Sequence, residues 1–336
     1  MPARRDRLLA GLIGALIGGL LVHFQYAGKT DFHSDFGMVW YGAKALVNGD
    51  NPYALIGPGR EFDYRWPLIY PATALAAVLP LSYLSEHAAA VIFVALSSGI
   101  LAFAVTGRGW YLLPLFLTDA FVSAAKLGQW SILLTAGLFL PWVSFFAIAK
   151  PQASMPILAG SESRRPLFWA LAGGLALLLV SLLLMPSWPG HWLAQVKLAE
   201  NMEPPIMRFG GFVLFVILLR WRRPESWLLL VLACLPQSWG WYGTLPLFTI
   251  PANLFEAIFL AGIATVGSYF GVFIMPELTT AKEFYAWMGS FIVFTVYLPA
   301  AILILRRPNT GELPAWLRIV LRVRRDELPP ADGKRS

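Results

Sequence analysis

From Leu8 onward, apolar runs of about 15 to 23 residues follow one another almost to the C-terminus, separated by short stretches rich in proline, arginine and aromatic residues. None of the runs alternates polar and apolar positions with a period of two, so they read as helices and not as strands of a closed barrel. The runs cover residues 8–24, 69–84, 86–106, 110–125, 127–147, 151–160 and 166–186, then 209–220, 226–238, 243–252, 253–275 and 284–305. This pattern predicts an all-α, polytopic transmembrane helix bundle of roughly ten to twelve spans. Several pieces fall short of the roughly 20 residues a spanning helix needs. Pro151, Pro156, Pro236, Pro246 and Pro251 interrupt them. Broken or re-entrant helices are expected there, because irregular backbone survives in lipid only where it is buried in protein or lines a cavity.

Composition points the same way. Hydrophobic residues make up 57% of the 336 positions and charged residues 13%, against about 45 to 50% and about 25% in soluble domains. A water-soluble globule has no place for that apolar excess. The net charge of +7 could signal nucleic acid, but its placement excludes that partner. Basic residues crowd short loops and the tail, at Arg164 and Arg165, at Arg220, Arg222 and Arg223, at Arg306 and Arg307, and from Arg318 to Arg325. By the positive-inside rule these mark the cytoplasmic face, with both termini on it. Arg4, Arg5 and Arg7 precede the first run as in a signal peptide. No small-x-small cleavage site follows, so the run reads as an uncleaved anchor. The lone cysteine, Cys234, excludes an intramolecular disulfide and a cysteine metal cluster.

Residues 1–310 thus form a transmembrane domain, and residues 311–336 a basic cytoplasmic tail. Within that tail Trp316, Leu317, Ile319, Val320 and Leu321 alternate with arginines, as in a short amphipathic helix on anionic lipid or a merely solubilising tail. The count leaves two long loops on the outer face, residues 25–68 and 187–208. Tyr26, Trp40, Tyr41, Trp66, Tyr70, Trp188, Trp192, Trp239, Trp241, Tyr242, Tyr285 and Trp287 fall near that boundary, as an aromatic belt would. Arg108 and Lys150 also fall outside, against the charge rule. Either the count fails there or these cations have work on that face.

The first outer loop carries the densest chemistry. From Phe36, apolar residues recur at Val39, Trp40, Ala43, Leu46 and Val47 until Asn48 and Gly49, which predicts an amphipathic helix along the membrane surface. Ser34 and Asp35 stand at its start. The free amides and dipole there favour an ionised Asp35, which suits a catalytic base and equally a plain helix cap.

The order Asp35-Phe36, Tyr41-x-Ala43, Gly49-x-Asn51-Pro52-Tyr53 and Tyr70-Pro71 followed by Pro80-Leu81 resembles the GT-C superfamily, in particular glycosyltransferase family 87. Gly128-Gln129 at the start of one run and Lys150-Pro151 after it extend the resemblance over residues 30–155. The family's members are polyprenyl-phosphate-mannose-dependent mannosyltransferases. The resemblance implies a GT-C-like fold and transfer of a sugar, with inversion, from a polyprenyl-phosphate donor to a lipid or glycan acceptor on the outer face. It implies Asp35 as general base, with Asp31 the runner-up, and needs no metal or other cofactor. Candidate cations for the donor phosphate are Lys150, Arg208, Arg60 and Arg65, with Lys150 first because it would sit at an outer helix end beside a helix-breaking proline. Snorkelling to the interface is the competing account of Lys150. Tyr53, Tyr70 and Gln129 are expected at the substrates, and His191 could orient the acceptor.

Within the runs, Asp119, Lys126 and Glu256 stand out, since a charge at the bilayer centre costs about 2.5 to 3.5 kcal/mol. Pairing within the bundle is the expected use. Neither a His-Glu-x-x-His pattern nor a phosphate-cradling Gly-x-x-x-x-Gly-Lys occurs. The competing reading is a non-enzymatic membrane protein: a lipid-glycan flippase, a transporter or an inactive subunit, whose polar path would use those three charges.

Overall fold

The computed structural model describes residues 2–27, 34–198, 203–236, 244–278 and 281–322. Asp31, Trp239, Trp241, Tyr242, the Tyr285 side chain and the tail beyond Arg322 lie outside the described residues.

The chain is a membrane protein built as a helical bundle. Among the described residues its helices are α1 (Arg4–Tyr26), α2 (Asp35–Asn48), α3 (Pro52–Leu55), α4 (Ala72–Val78), α5 (Glu86–Thr106), α6 (Asp119–Leu127), α7 (Trp130–Thr135) and α8 (Pro151–Ala159). They continue with α9 (Arg165–Leu184), α10 (Trp188–Leu198), α11 (Pro224–Cys234), α12 (Thr244–Thr249), α13 (Leu254–Phe273), α14 (Ala281–Ile292), α15 (Leu298–Leu305) and α16 (Ala315–Leu321). Among the described residues, five stretches are long and apolar enough to cross a membrane: α1, α5, α9, α13 and the run Ala286–Leu305. The last passes without a break from α14 to α15 through a π turn at Val293–Tyr297, just ahead of Pro299. Proline has no N–H to give the preceding turn, and a π bulge absorbs the missing bond.

The breaks do not follow the prolines singled out in the sequence: α8 runs on through Pro156, whereas two runs counted there as spans are divided. Residues 110–125 divide into a 3₁₀ segment, Trp110–Leu117, and α6. Residues 127–147 divide into α7 and a 3₁₀ segment, Pro141–Ala149. Residues 209–220 are largely 3₁₀ as well, over Gly211–Arg220.

α1 and α5 pack antiparallel along their whole length. Arg7 Nε donates to the Phe103 carbonyl at 3.3 Å near one end, and the Tyr26 hydroxyl donates to Glu86 at 3.0 Å at the other. The contact is made by small residues: a Cβ on Gly14 would come within 2.6 Å of Ala102 Cβ, and one on Gly18 would overlap Ser98. Without a hydrophobic drive between helices in lipid, such close backbone approach is what holds a pair together.

That antiparallel pair corrects the position of Arg108. The sequence count made residues 69–84 a span, yet only α4 and a 3₁₀ turn at Leu79–Leu81 form there. Both ends of this piece return to the first loop: Tyr70 meets Tyr53, and Trp40 Nε1 donates to the Leu81 carbonyl at 3.2 Å. The piece is therefore re-entrant, and α5 starts from the loop side and ends beside Arg7. Arg108 thus joins the basic end of the bundle, beside Arg7.

The basic end is closed by ion pairs. Arg307 bridges Glu225 at 3.2 Å and Glu256 at 2.6 Å, and Arg223 pairs with Glu225 at 3.1 Å. The tail helix α16 docks here. Ala315 N donates to the Ser161 carbonyl at 2.8 Å, Trp316 Nε1 donates to the Ala159 carbonyl at 3.0 Å, and the Trp316 ring packs edge-on against Trp227. Ala315, Leu317 and Arg318 are buried, while Ile319, Val320 and Leu321 stay exposed.

At the opposite end the two long loops meet. α10 lies over the first loop, with Trp192 Nε1 donating to the Ile69 carbonyl at 2.8 Å and Gln195 Oε1 accepting from Arg60 at 3.0 Å.

Candidate active site

α2 forms where the apolar period placed it, but it is sunk in the bundle instead of resting on the surface. Phe36, Met38, Val39, Trp40, Ala43, Ala45 and Leu46 are all buried, which leaves Asp35, Tyr41, Lys44, Val47 and Asn48 with access to solvent. Gly49 ends the helix in the left-handed region, at φ 80°.

Capping falls to Ser34, whose Oγ accepts from Gly37 N at 2.8 Å. Asp35 is the first helical residue, and its carboxylate is free of the capping role. Instead, Oδ2 accepts a hydrogen bond from Gln129 Nε2. The other end of that amide, Oε1, accepts from Lys150 Nζ at 2.7 Å, and Lys150 also donates to the Tyr70 hydroxyl at 3.0 Å. The Tyr70 carbonyl in turn accepts from the Tyr53 hydroxyl at 3.1 Å. Five polar side chains from separate segments therefore form one connected array: Asp35, Gln129, Lys150, Tyr70 and Tyr53.

Local chain geometry aims each of them. α6 ends at Gly128 in the left-handed region, at φ 68°, where a Cβ would come within 2.5 Å of Phe36 Cβ. Only glycine lets the chain reverse that tightly against α2 and deliver Gln129 to Asp35. Lys150 follows the 3₁₀ segment Pro141–Ala149 and precedes Pro151, the first residue of α8. Asn51 caps α3 through its side chain, accepting from Tyr53 N at 3.0 Å, and so sets Tyr53.

Burial shapes the electrostatics. Gln129 is fully buried and Lys150 only 8% exposed, whereas Asp35 keeps partial access. Burial pushes the Asp35 carboxyl above the ordinary carboxylate range, with the Lys150 charge and the Gln129 hydrogen bond opposing. Burial lowers the Lys150 ammonium to about 8, with Asp35 opposing. A buried carboxylate and a buried ammonium keep their charges when each compensates the other's lost hydration. Here an amide spacer stands between the two groups, which are not in direct contact.

The other expected cations are placed elsewhere. The Arg60 guanidinium binds the carbonyls of Tyr53 and Ile56 and the Gln195 side chain, so it ties the first loop to α10. Arg65 is exposed and lies over the Trp66 ring at 6.0 Å. His191 is exposed, 3.5 Å from Asn51 Nδ2 through its Nδ1. Arg208 is 6% exposed, donates to the Glu203 carbonyl at 3.2 Å and packs its guanidinium on Gly289 of α14.

Of the three charges within the runs, Asp119 and Glu256 are bound locally and Lys126 is not. Asp119 accepts from Ser123 at 3.2 Å and from Ser268 of α13 at 2.7 Å, Glu256 is held by Arg307, and Lys126 is exposed.

A second polar group adjoins the array and escaped the sequence reading. Glu86, at the start of α5, receives Tyr26, whose hydroxyl lies 2.5 Å from Ser34 Oγ. Burial and the Glu86 charge together raise the Tyr41 and Tyr64 hydroxyls above their ordinary values. The only sequence signal was Ser85-Glu86 ahead of an apolar run, which reads as a common helix start.

No family model, curated protein or solved structure matches this chain.

Proposed function

We propose that the protein is an inverting membrane glycosyltransferase of the GT-C type, moving a sugar from a polyprenyl-phosphate donor to a lipid or glycan acceptor hydroxyl on the outer face of a bacterial cytoplasmic membrane. The observation that carries this reading is the Asp35–Gln129–Lys150–Tyr70 array, in which a partly accessible carboxylate and a buried cation face one site one amide apart. All four stand at positions of the motifs that resemble glycosyltransferase family 87. Mannose as the sugar rests on that resemblance alone.

In this reading Asp35 accepts the acceptor hydroxyl's proton as that oxygen attacks the anomeric carbon. The bond from that carbon to the phosphate oxygen breaks on the opposite side, and polyprenyl phosphate leaves with its electron pair. General-base assistance of this kind contributes about 100-fold to 10,000-fold. Lys150 stabilises the charge growing on the phosphate, where a fixed buried cation acts more strongly than in water. Gln129 keeps Lys150 from neutralising Asp35 by direct contact, and Tyr70 fixes the ammonium from its other side. Arg208 remains a second phosphate cation only if the lipid reaches it from α14, and Arg60 is better explained as a loop tie.

A transport path through the bundle finds less support, because Asp119 and Glu256 are already engaged by Ser268 and Arg307.

The test is sugar transfer by the purified protein in lipid nanodiscs, with radiolabelled polyprenyl-phosphate-mannose as donor and total membrane lipid as acceptor. Wild type should form product, and Asp35→Asn should lose at least about 100-fold. A folded wild type inert with mannose, glucose and arabinose donors would sink the enzyme reading in favour of transport or scaffolding.

A further inference from the structure

Outside the array, Glu86 is the charged group closest in chemistry to Asp35, and nothing in the transfer reaction uses it. Its carboxylate lies against Gly37, in the first turn of α2, two positions from Asp35. A Cβ on Gly37 would collide with Glu86 Oε1 and come within 2.6 Å of the Tyr64 hydroxyl. We propose that Glu86 is a positioning residue for Asp35, holding the first turn of α2 in place through a directed chain of hydrogen bonds. The proposal rests on the reading of Asp35 as the base.

The direction of the chain follows from donor and acceptor capacity. An ionised carboxylate only accepts, so the Tyr26 hydroxyl must spend its proton on Glu86 Oε1, at 3.0 Å. Tyr26 Oη then accepts from the Ser34 hydroxyl at 2.5 Å. Ser34 Oγ in turn accepts from Gly37 N at 2.8 Å. Donors and acceptors run head to tail from the α2 amide to the Glu86 charge, an arrangement in which each bond polarises the next.

Tyr26 is itself fixed. Its ring stacks on His87 at 5.4 Å with an interplanar angle of 3°, and His87 stacks on His23 at 5.0 Å. The chain thus joins the last turn of α1, the cap of α2 and the first turn of α5. With this end of α2 tied to the α1–α5 pair, and Gln129 reaching Asp35 from the other side, the carboxylate is held between two independent supports. Tyr64, raised first by burial and further by Glu86 and Asp35, lies within electrostatic reach of both carboxylates.

The experiment combines hydrogen exchange and kinetics on the full chain in nanodiscs. The variants are Glu86→Ala, Glu86→Gln, Tyr26→Phe, Gly37→Ala and Asp35→Asn. Glu86→Ala, Tyr26→Phe and Gly37→Ala should each speed amide exchange over residues 34–40 by at least about tenfold, since local opening there loses its restraint. Glu86→Gln keeps an acceptor oxygen for Tyr26 and should fall between Ala and wild type. Asp35→Asn leaves the chain intact and should exchange like wild type.

In transfer assays the acid limb of the rate profile should move to lower pH in Glu86→Gln and Tyr26→Phe, as a loosened Asp35 gains solvent. A mere loss of folded protein would scale the rate equally at every pH. Unchanged exchange over residues 34–40 in Tyr26→Phe and Glu86→Gln overturns the proposal, as does an acid limb that stays fixed while the rate falls. If wild type transfers no sugar, the enzyme reading fails, and the exchange result still decides whether Glu86 holds α2.

Discussion

At the scale of single residues, the candidate site depends on two opposed ionisations. Asp35 must be ionised to accept a proton, and burial raises its carboxyl, so activity is lost as pH falls through a value above the ordinary ~4. Lys150 must be protonated to meet the leaving phosphate, and burial lowers its ammonium to about 8, so activity is lost as pH rises through that value. A bell-shaped profile of kcat/KM is expected, with its alkaline limb near pH 8. Lys150→Arg keeps its charge throughout the working range, a guanidinium being effectively always protonated. Whatever its residual rate, that variant should lack the alkaline limb. A wild-type profile flat from about pH 7 to 9 would remove Lys150 from the chemistry.

At the scale of elements, the turn between α6 and α7 does most to bring the array together. Gly128 combines a left-handed backbone with a contact to Phe36 that leaves no room for a methyl group. Gly128→Ala therefore meets a backbone penalty of about 1 to 2 kcal/mol. It also meets overpacking against α2, typically about 1 to 3 kcal/mol. Lower thermal stability in detergent is expected, together with at least about a tenfold loss of transfer, since Gln129 is the next residue. Gly190→Ala is the control, because a Cβ there meets nothing within 4 Å, and it should behave like wild type. Equal melting of the two variants would contradict this account of the turn.

The same turn shows what could be read from the chain alone. The helix over Phe36–Asn48 was legible because its apolar spacing and its Asn48-Gly49 stop are local signals. Tyr53, Tyr70, Gln129 and Lys150 were singled out from motif order, and the fold brings them together. Burial of α2 on nearly all sides was not legible, since a helix lying on lipid and a helix lined by other helices show similar one-sided patterns when small residues such as Gly42 and Ala45 fill the remaining face. The Glu86 chain was hidden for another reason: its Tyr26–Glu86 bond joins residues far apart in the chain, and no local pattern encodes such a contact. Re-entry at residues 69–84 was missed because apolar length alone cannot distinguish a piece that crosses from one that returns. The fate of Arg60 was likewise set by distant partners, the carbonyls of its own loop and Gln195 of α10.

At the scale of the whole molecule, the two ends of the bundle differ in kind. One end gathers both long loops, the tyrosines and the Asp35 array. The other gathers Arg7 and Arg108, the ion pairs of Arg223 and Arg307, and the docked tail. This asymmetry predicts the orientation: arginine clusters stay on the cytoplasmic side, and the loops with the candidate site face outward. The sequence makes the test simple, since Cys234 is the lone cysteine and is itself exposed. In a Cys234→Ser background, Glu61→Cys or His191→Cys should react with a membrane-impermeant maleimide in intact cells, both positions being exposed on the loop end. Thr310→Cys, exposed at the basic end, should react only after permeabilisation. Labelling of Thr310→Cys in intact cells would invert the bundle and put Asp35 on the cytoplasmic face. Labelling of Glu61→Cys and Thr310→Cys from the same side would mean instead that the α1–α5 pair does not cross the bilayer as its small-residue packing and apolar length require.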